Sequence, residues 1–254
     1  MMTYNEADVI EETMEANRKF VDCIFALDGS DDGTDKILQK YPEVELLVRD
    51  REISPNGPIR DYHRQVLLEA ARERYGPDNW FTLLHGDEIY HDNPRKIAEL
   101  ADRQGAQRVN WAVMQFFPHQ NDVPLDLTLP IQERIRWYSP FWIEIRQFKG
   151  NKRTRYRDGS HGRVIPDGVG WRPYTKTPIL KHYPFRSPEQ VKMWQEVKAR
   201  RGFSKTALQE EFYRTTYEPS YKRAHRFDGD FKELELNRQG NLCTMFLRWK
   251  WWVR

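Results

Sequence analysis

Two periodicities alternate through the first half of the chain. In "NEADVIEETMEANRKF" the apolar residues Val9, Ile10 and Met14 share one helical face and acidic residues come early, which predicts an amphipathic helix starting near Asn5. "VDCIFALD" is a β-branched and aromatic run of strand length. "GTDKILQKY" then predicts a short helix, "VELLVRD" a strand, and "IRDYHRQVLLEAARERYG" a long helix with Val66, Leu67, Ala70 and Ala71 on its apolar face. "WFTLLHGDE", "PRKIAELADRQG" and "RVNWAVMQFFPH" continue as strand, helix and strand. Alternation of this kind with short connections predicts an α/β fold: a mostly parallel, Rossmann-like sheet flanked by helices. The first helix has no strand before it, so the expected sheet lacks its first strand, through truncation at the N-terminus.

Beyond residue 120 the pattern loosens. Residues 123–148 and 156–185 are rich in Pro, Gly and aromatics, as in strands and long loops built over a site. "SPEQVKMWQEVKARRG" carries a Ser cap, Pro at the first helical position and Gln190 as capping partner, and "SKTALQEEFYRTTY" predicts a further helix. The expected organisation is one domain, with a nucleotide-binding half at 1–120 and an acceptor-side, C-terminal helical region at 121–254.

Composition narrows the classes. The chain has 254 residues and a formal net charge of only +3, a balance that speaks against a dedicated nucleic-acid binder. Its two cysteines, Cys23 and Cys243, stand in no metal or disulfide pattern, and a cytoplasmic, reducing setting is expected. No stretch is long and apolar enough to span a bilayer. The C-terminal "CTMFLRWKWWVR" mixes aromatic and basic residues and is read either as packed core or as a peripheral contact with the inner face of a membrane.

In parallel sheets ligands gather at the carboxyl ends of the strands. Two acidic groups fall there: Asp28, Asp31 and Asp32 after one strand, Asp87 and Glu88 after another. A calcium loop of the EF-hand kind would fit Asp28, Ser30, Asp32 and Gly33, but it would place Asp35 where an aliphatic belongs and Gln39 where a bidentate Glu belongs. It also lacks a helix before it. The alternative is the rim of a nucleotide and metal site.

"TYNEAD", "LDGSDDGT" and "HGDE", in that order and spacing, resemble the family 2 glycosyltransferases, which have the GT-A fold. The likeness covers roughly residues 2–118. It implies transfer of a sugar from a nucleoside-diphosphate sugar, UDP-linked by preference, to a hydroxyl of a glycan or lipid-linked acceptor in glycan or cell-surface polysaccharide synthesis. It implies Tyr4 stacking on the base with Thr3 and Glu6 in the same loop, Asp28 contacting base or ribose, and Arg64 near the nucleotide. Asp87 would hold Mn²⁺ or Mg²⁺ at the diphosphate, with Glu88 supporting it or touching the sugar. His182 would complete the metal or diphosphate site, and Arg186 would meet phosphate. His85 stands where the family's metal motif has its first Asp, and is a softer, uncharged ligand. Asp31 and Asp32 read as caps of the following helix rather than as substrate contacts.

Inverting transfer needs a base for the acceptor hydroxyl. Asp158, His161 and Glu144 are the candidates, because Gly162 stands where many relatives place Glu. Two other classes stay open on sequence grounds: a non-catalytic nucleotide-binding protein of the same fold, and a nucleotidyltransferase, although "TYNEAD" lacks the Gly-rich basic loop of the latter.

Overall fold

The computed structural model describes residues 1–49, 61–119, 125–157, 165–200, 225–229 and 231. Its first sheet is parallel, in the order β1 (Met2–Thr3), β2 (Ile24–Asp28) and β3 (Val44–Arg49). The first strand expected to be missing is therefore present. Two residues suffice because Met2 and Thr3 pair with Leu27 and Asp28, and the Met1 backbone carbonyl accepts from the Leu27 amide. So short a segment carries no readable period, which is why the pattern could not reveal it.

Helix α1 runs Ile10–Asn17, later than Asn5. The amides of residues 5–7 are taken by side chains of the loop after β2: Asn5 N–H by Ser30 Oγ, Glu6 N–H by Thr34 Oγ1 and Ala7 N–H by Asp32 Oδ2. Backbone donors committed to side chains leave the segment a loop. Asn5 itself takes a left-handed φ of 51°, which Asn tolerates better than most residues, and its side chain accepts from the Asp31 amide. Helix α2 (Thr34–Leu38) follows Gly33, whose φ of 97° only glycine adopts freely.

The second sheet has six strands and mixed direction. Strands β4 (Trp80–Thr82) and β5 (Glu88–Tyr90) end a path on which β7 (Trp137–Lys149), β6 (Arg108–Phe117) and β8 (Ile179–His182) lie in that order, and β9 (His225–Arg226) pairs with β7. Here only β6 and β8 are parallel; the other pairs are antiparallel. The two edges β4 and β5 are consecutive in the chain, joined by the short link through residues 83–87. That link joins the sheets: the Met2 amide donates to the Leu84 carbonyl and Met2 bridges to His85.

Strand β6 is central. Val109, Trp111 and Val113 pack into a cluster with Tyr90, Tyr174 and Leu180. Met114 and Phe116 enter another with Ile131, Tyr138 and Tyr183. Apolar burial on both sides explains why β6 reads as a nearly continuous hydrophobic run. The remaining helices are α3 (Asp61–Tyr75), α4 (Pro94–Arg103), α5 (Ile131–Arg134) and α6 (Pro188–Arg200). The cap expected on α6 is formed, with Ser187 Oγ accepting from the Gln190 amide and Gln190 Oε1 from the Arg186 amide. The helix expected at 204–217 and the aromatic and basic C-terminal segment lie outside the described residues. Among the described residues no helix is long and apolar enough to cross a membrane.

Candidate functional site

The loops after β1 and β2 are sewn together from inside. Asp28 is fully buried; Oδ1 accepts from the Thr3 and Ser30 hydroxyls, and Oδ2 from the Arg49 guanidinium. Arg49 also donates to the Ser30 carbonyl and lies 3.5 Å from Asp35. Both Asp28 oxygens are thus occupied, and the direct base or ribose contact expected of it is corrected to a buried anchor of the loop. Thr3 is corrected with it, being buried with its hydroxyl spent on Asp28. Asp32 caps, as expected, accepting from the Thr34 amide and hydroxyl.

Tyr4 is half-buried and meets the ring of Trp194 on α6 edge-on, with centroids 6.5 Å apart. Arg64 is buried on α3. With His85 it lines a cavity of about 760 Å³ between β2, α3 and β4, walled by Phe25, Leu67, Leu68 and Phe81, whose lining includes none of Thr3, Tyr4, Glu6, Asp28 or Asp87.

The second acidic group is built differently. The turn Gly86–Asp87 is pinned by α1: Thr13 Oγ1 donates to the Gly86 carbonyl at 2.6 Å, Asn17 Nδ2 donates to the Glu88 carbonyl, and Asn17 Oδ1 accepts from the Tyr90 amide. His182, at the end of β8, places Nε2 3.2 Å from Asp87 Oδ2. Arg186 is fully buried; it grips Asp8 through two parallel hydrogen bonds of 2.8 and 2.9 Å and sets Nη1 3.7 Å from Asp87. A paired fork of this kind is stronger and more directional than a single contact.

Burial opposes ionisation of Asp87, but the His182 imidazole and then Arg186 outweigh it and hold its carboxyl below the ordinary value. Burial likewise opposes a charge on His182, and Asp87 reverses this and raises its pKa. The two form an ion pair. Glu6 behaves in the opposite way. Burial first, and then the neighbouring Asp87 charge, push its pKa well above that of a normal carboxyl. Its Oε2 is buried with no hydrogen-bond partner among the described residues, and it packs so closely on Gly86 that a Cβ there would come within 1.8 Å. Gly86 is required by that approach.

Glu88 faces inward. Arg146 Nη2 reaches its Oε1 at 2.6 Å, the His85 amide donates to its Oε2, and His85 Nδ1 lies 3.3 Å from Oε1. Although burial disfavours its charge, Arg146 and His85 hold Glu88 ionised far below the usual carboxylate range. It braces the turn and has no exposed surface for a sugar, which corrects that part of its expected role. His85 is drawn to Glu88. Among the described residues no three His, Cys, Asp or Glu converge as a ligand set, so the expected trio Asp87, His85 and His182 is not assembled. The pair Asp87 and His182 is. Glu144, one of the candidate bases, is paired with Arg146 Nε at 2.9 Å. Asp158 and His161 lie outside the described residues.

Sequence reasoning missed Asp8, Thr13, Asn17, Arg49, Arg146 and Trp194. Thr13 and Asn17 had a signal, being polar residues one helical turn apart beside the apolar positions Ile10 and Met14, where only a buried partner would favour them. Arg49 and Arg146 had none, since each meets its carboxylate only through strand pairing.

A short parallel sheet joined edgewise to a mixed one, with acidic turns at the strand ends, is a mixed α/β arrangement of the GT-A type. The sequence model of Glycosyl transferase family 2 matches residues 1–163, and the chain belongs to that family and is a glycosyltransferase. No curated protein matches the chain.

Proposed function

We propose that the chain transfers a sugar from a nucleoside-diphosphate donor, UDP-linked by preference, to a hydroxyl of a glycan or lipid-linked acceptor, with inversion, in cell-surface glycan synthesis at the cytoplasmic face of a membrane. The observation that carries this reading is the Asp87 cluster: a buried carboxylate held between His182 and Arg186 at strand ends, with the buried carboxyl of Glu6 beside it.

Asp87, and His182 once it has given up its proton, would hold Mn²⁺ or Mg²⁺. The Asp87 carboxylate is the hard oxygen donor such an ion favours, and the His182 imidazole would be the softer partner. When bound, the cation offsets the charge that gathers on the departing diphosphate. The chain's own residues do the rest. Arg186, braced by Asp8, presents a cation that does not have to reorganise as charge develops. Tyr4 and Trp194 offer aromatic surface to the base. Thr3, Asp28 and Arg49 keep that loop in place. In this reading the acceptor's proton goes to Asp158 or His161, in the segment that follows Arg157.

Calorimetric titration of UDP, with GDP as control, into the chain with and without Mn²⁺ tests the site, repeated on Asp87→Ala. Metal-dependent binding of UDP that the substitution abolishes is expected. A folded chain that binds neither nucleotide would sink the donor reading.

A further inference from the structure

Trp171 is 83% exposed, the most exposed of the large apolar side chains among the described residues. The loop that carries it is not loose. The Gln107 amide donates to the Arg172 carbonyl and the Tyr174 amide to the Arg108 carbonyl, both at 2.8 Å, and Tyr174 is buried beneath. Gly168 has a φ of 81°, and a Cβ there would meet the Arg153 carbonyl oxygen at 2.5 Å; one on Gly170 would strike the Gln107 side chain. With the backbone fixed on both sides, the indole is held outward. The Arg108 guanidinium lies over it, 5.2 Å from the ring centroid.

The surroundings are basic. Residues 149–157 run beside this loop, joined to it by the Arg155–Asp167 bridge and by Asn151 Nδ2 donating to the Gly168 carbonyl. Lys152, Arg153, Arg155 and Arg157 are exposed on one side, Arg172 and Lys176 on the other. Two nearby acids are matched, Asp167 by Arg157 at 2.9 Å and Asp102 by Lys149. For a chain whose net charge is only +3, this is a marked concentration of positive charge on one face.

We propose that this face docks on an anionic phospholipid bilayer, Trp171 entering at headgroup level and the surrounding Arg and Lys side chains meeting lipid phosphates. An amphipathic ring flanked by cations suits the wet, negatively charged edge of a membrane. A stacked sugar fits less well, because Arg108 already covers one face of the ring, and a nucleic-acid strand would need successive aromatic platforms where this surface has a single indole. The face lies at the start of β6, and Gln115 on that strand pairs with His182. Seven residues of strand separate Arg108 from Gln115, roughly 23 Å, so docking leaves the Asp87 cluster open to a soluble donor. The contact is separate from the C-terminal aromatic segment and does not depend on the donor reading.

Co-sedimentation of the full chain with phosphatidylcholine vesicles, with and without phosphatidylglycerol, provides the test. Binding is expected only with the anionic lipid and should collapse in high salt. Trp171→Ala should weaken it roughly tenfold, and Arg172→Glu with Lys176→Glu by roughly thirtyfold or more. Thermal unfolding and UDP binding, unchanged in both variants, would show that the fold is intact. Equal binding to neutral vesicles, or variants that sediment as the parent does, would overturn the proposal. So would variants that lose affinity for a single-stranded DNA probe while vesicle binding is absent throughout.

Discussion

The loops at Asp28 and at Asp87 look alike in sequence, each a short acidic run behind an apolar strand, yet the fold uses them in opposite ways. Around Asp28 every oxygen is matched by a hydroxyl or a guanidinium, and the carboxylate is sealed. Around Asp87 the balance is incomplete: two acids whose pKa values are pushed in opposite directions stand side by side, and Glu6 keeps a buried oxygen without a partner among the described residues. A satisfied buried charge fixes a loop, whereas an incompletely satisfied cluster is held by the rest of the fold and is open to a ligand.

The largest separation between the two should come from isosteric substitution. Asp87→Asn is expected to cut turnover by a factor on the order of 100 to 1000 while shifting thermal unfolding little, as for other groups that act on developing charge. Steady-state kinetics on the folded variant decides it; activity within a few-fold of the parent would remove Asp87 from the chemistry. Asp28→Asn should do the reverse. It removes the closest anion from Arg49, leaving the Ser30 carbonyl and Asp35, and should cost about 2–3 kcal/mol in denaturant unfolding, below the figure for a fully buried pair because Arg49 keeps a third of its side chain in water. The surviving folded fraction should turn over normally.

A smaller effect distinguishes Glu6. Because the folded state keeps its proton above the ordinary value of 4.5, the folded protein binds more protons than the unfolded one there, and its stability should fall as pH rises from 4.5 through the folded pKa. Glu6→Gln should remove that slope and leave stability at low pH nearly unchanged. A slope that persists in the variant would assign it elsewhere. His182 gives the mildest signal. Its raised pKa adds stability that is complete below 6.5 and is lost as pH rises through the folded value, and His182→Gln should flatten unfolding curves over that window. No change on substitution would mean that Asp87 does not hold the proton on His182.

Much of the fold was legible. The strand at β2, the helices at α3 and α4, and the capped start of α6 each stood out because a long period or a cap repeats one physical reason over several residues. What was hidden lacked repetition. Met2–Thr3 is too short to show a period, and α1 starts late because Asn5, Glu6 and Ala7 give their amides to a loop more than twenty residues away. At the site, the sequence placed Asp87, His182 and Arg186 as candidates on the strength of a resemblance, and the structure brings these together. It also named His85, Thr3, Asp28 and Glu144, whose side chains are engaged by other partners within the protein.

What the sequence determined by itself is the set of chemistries within reach: which carboxylates follow apolar strands, where helices begin with caps, and that glycine stands at 86. Hydrophobic period and local hydrogen bonding act over a few residues and are written in order along the chain. Whether a given carboxylate is sealed or poised was decided only by tertiary structure. Its protonation and its free oxygens depend on burial and on cations that arrive from distant strands, Arg49 to Asp28, Arg146 to Glu88 and Arg186 to Asp87. Electrostatic strength in a buried site is set by distance and dielectric, and neither exists until the chain has folded.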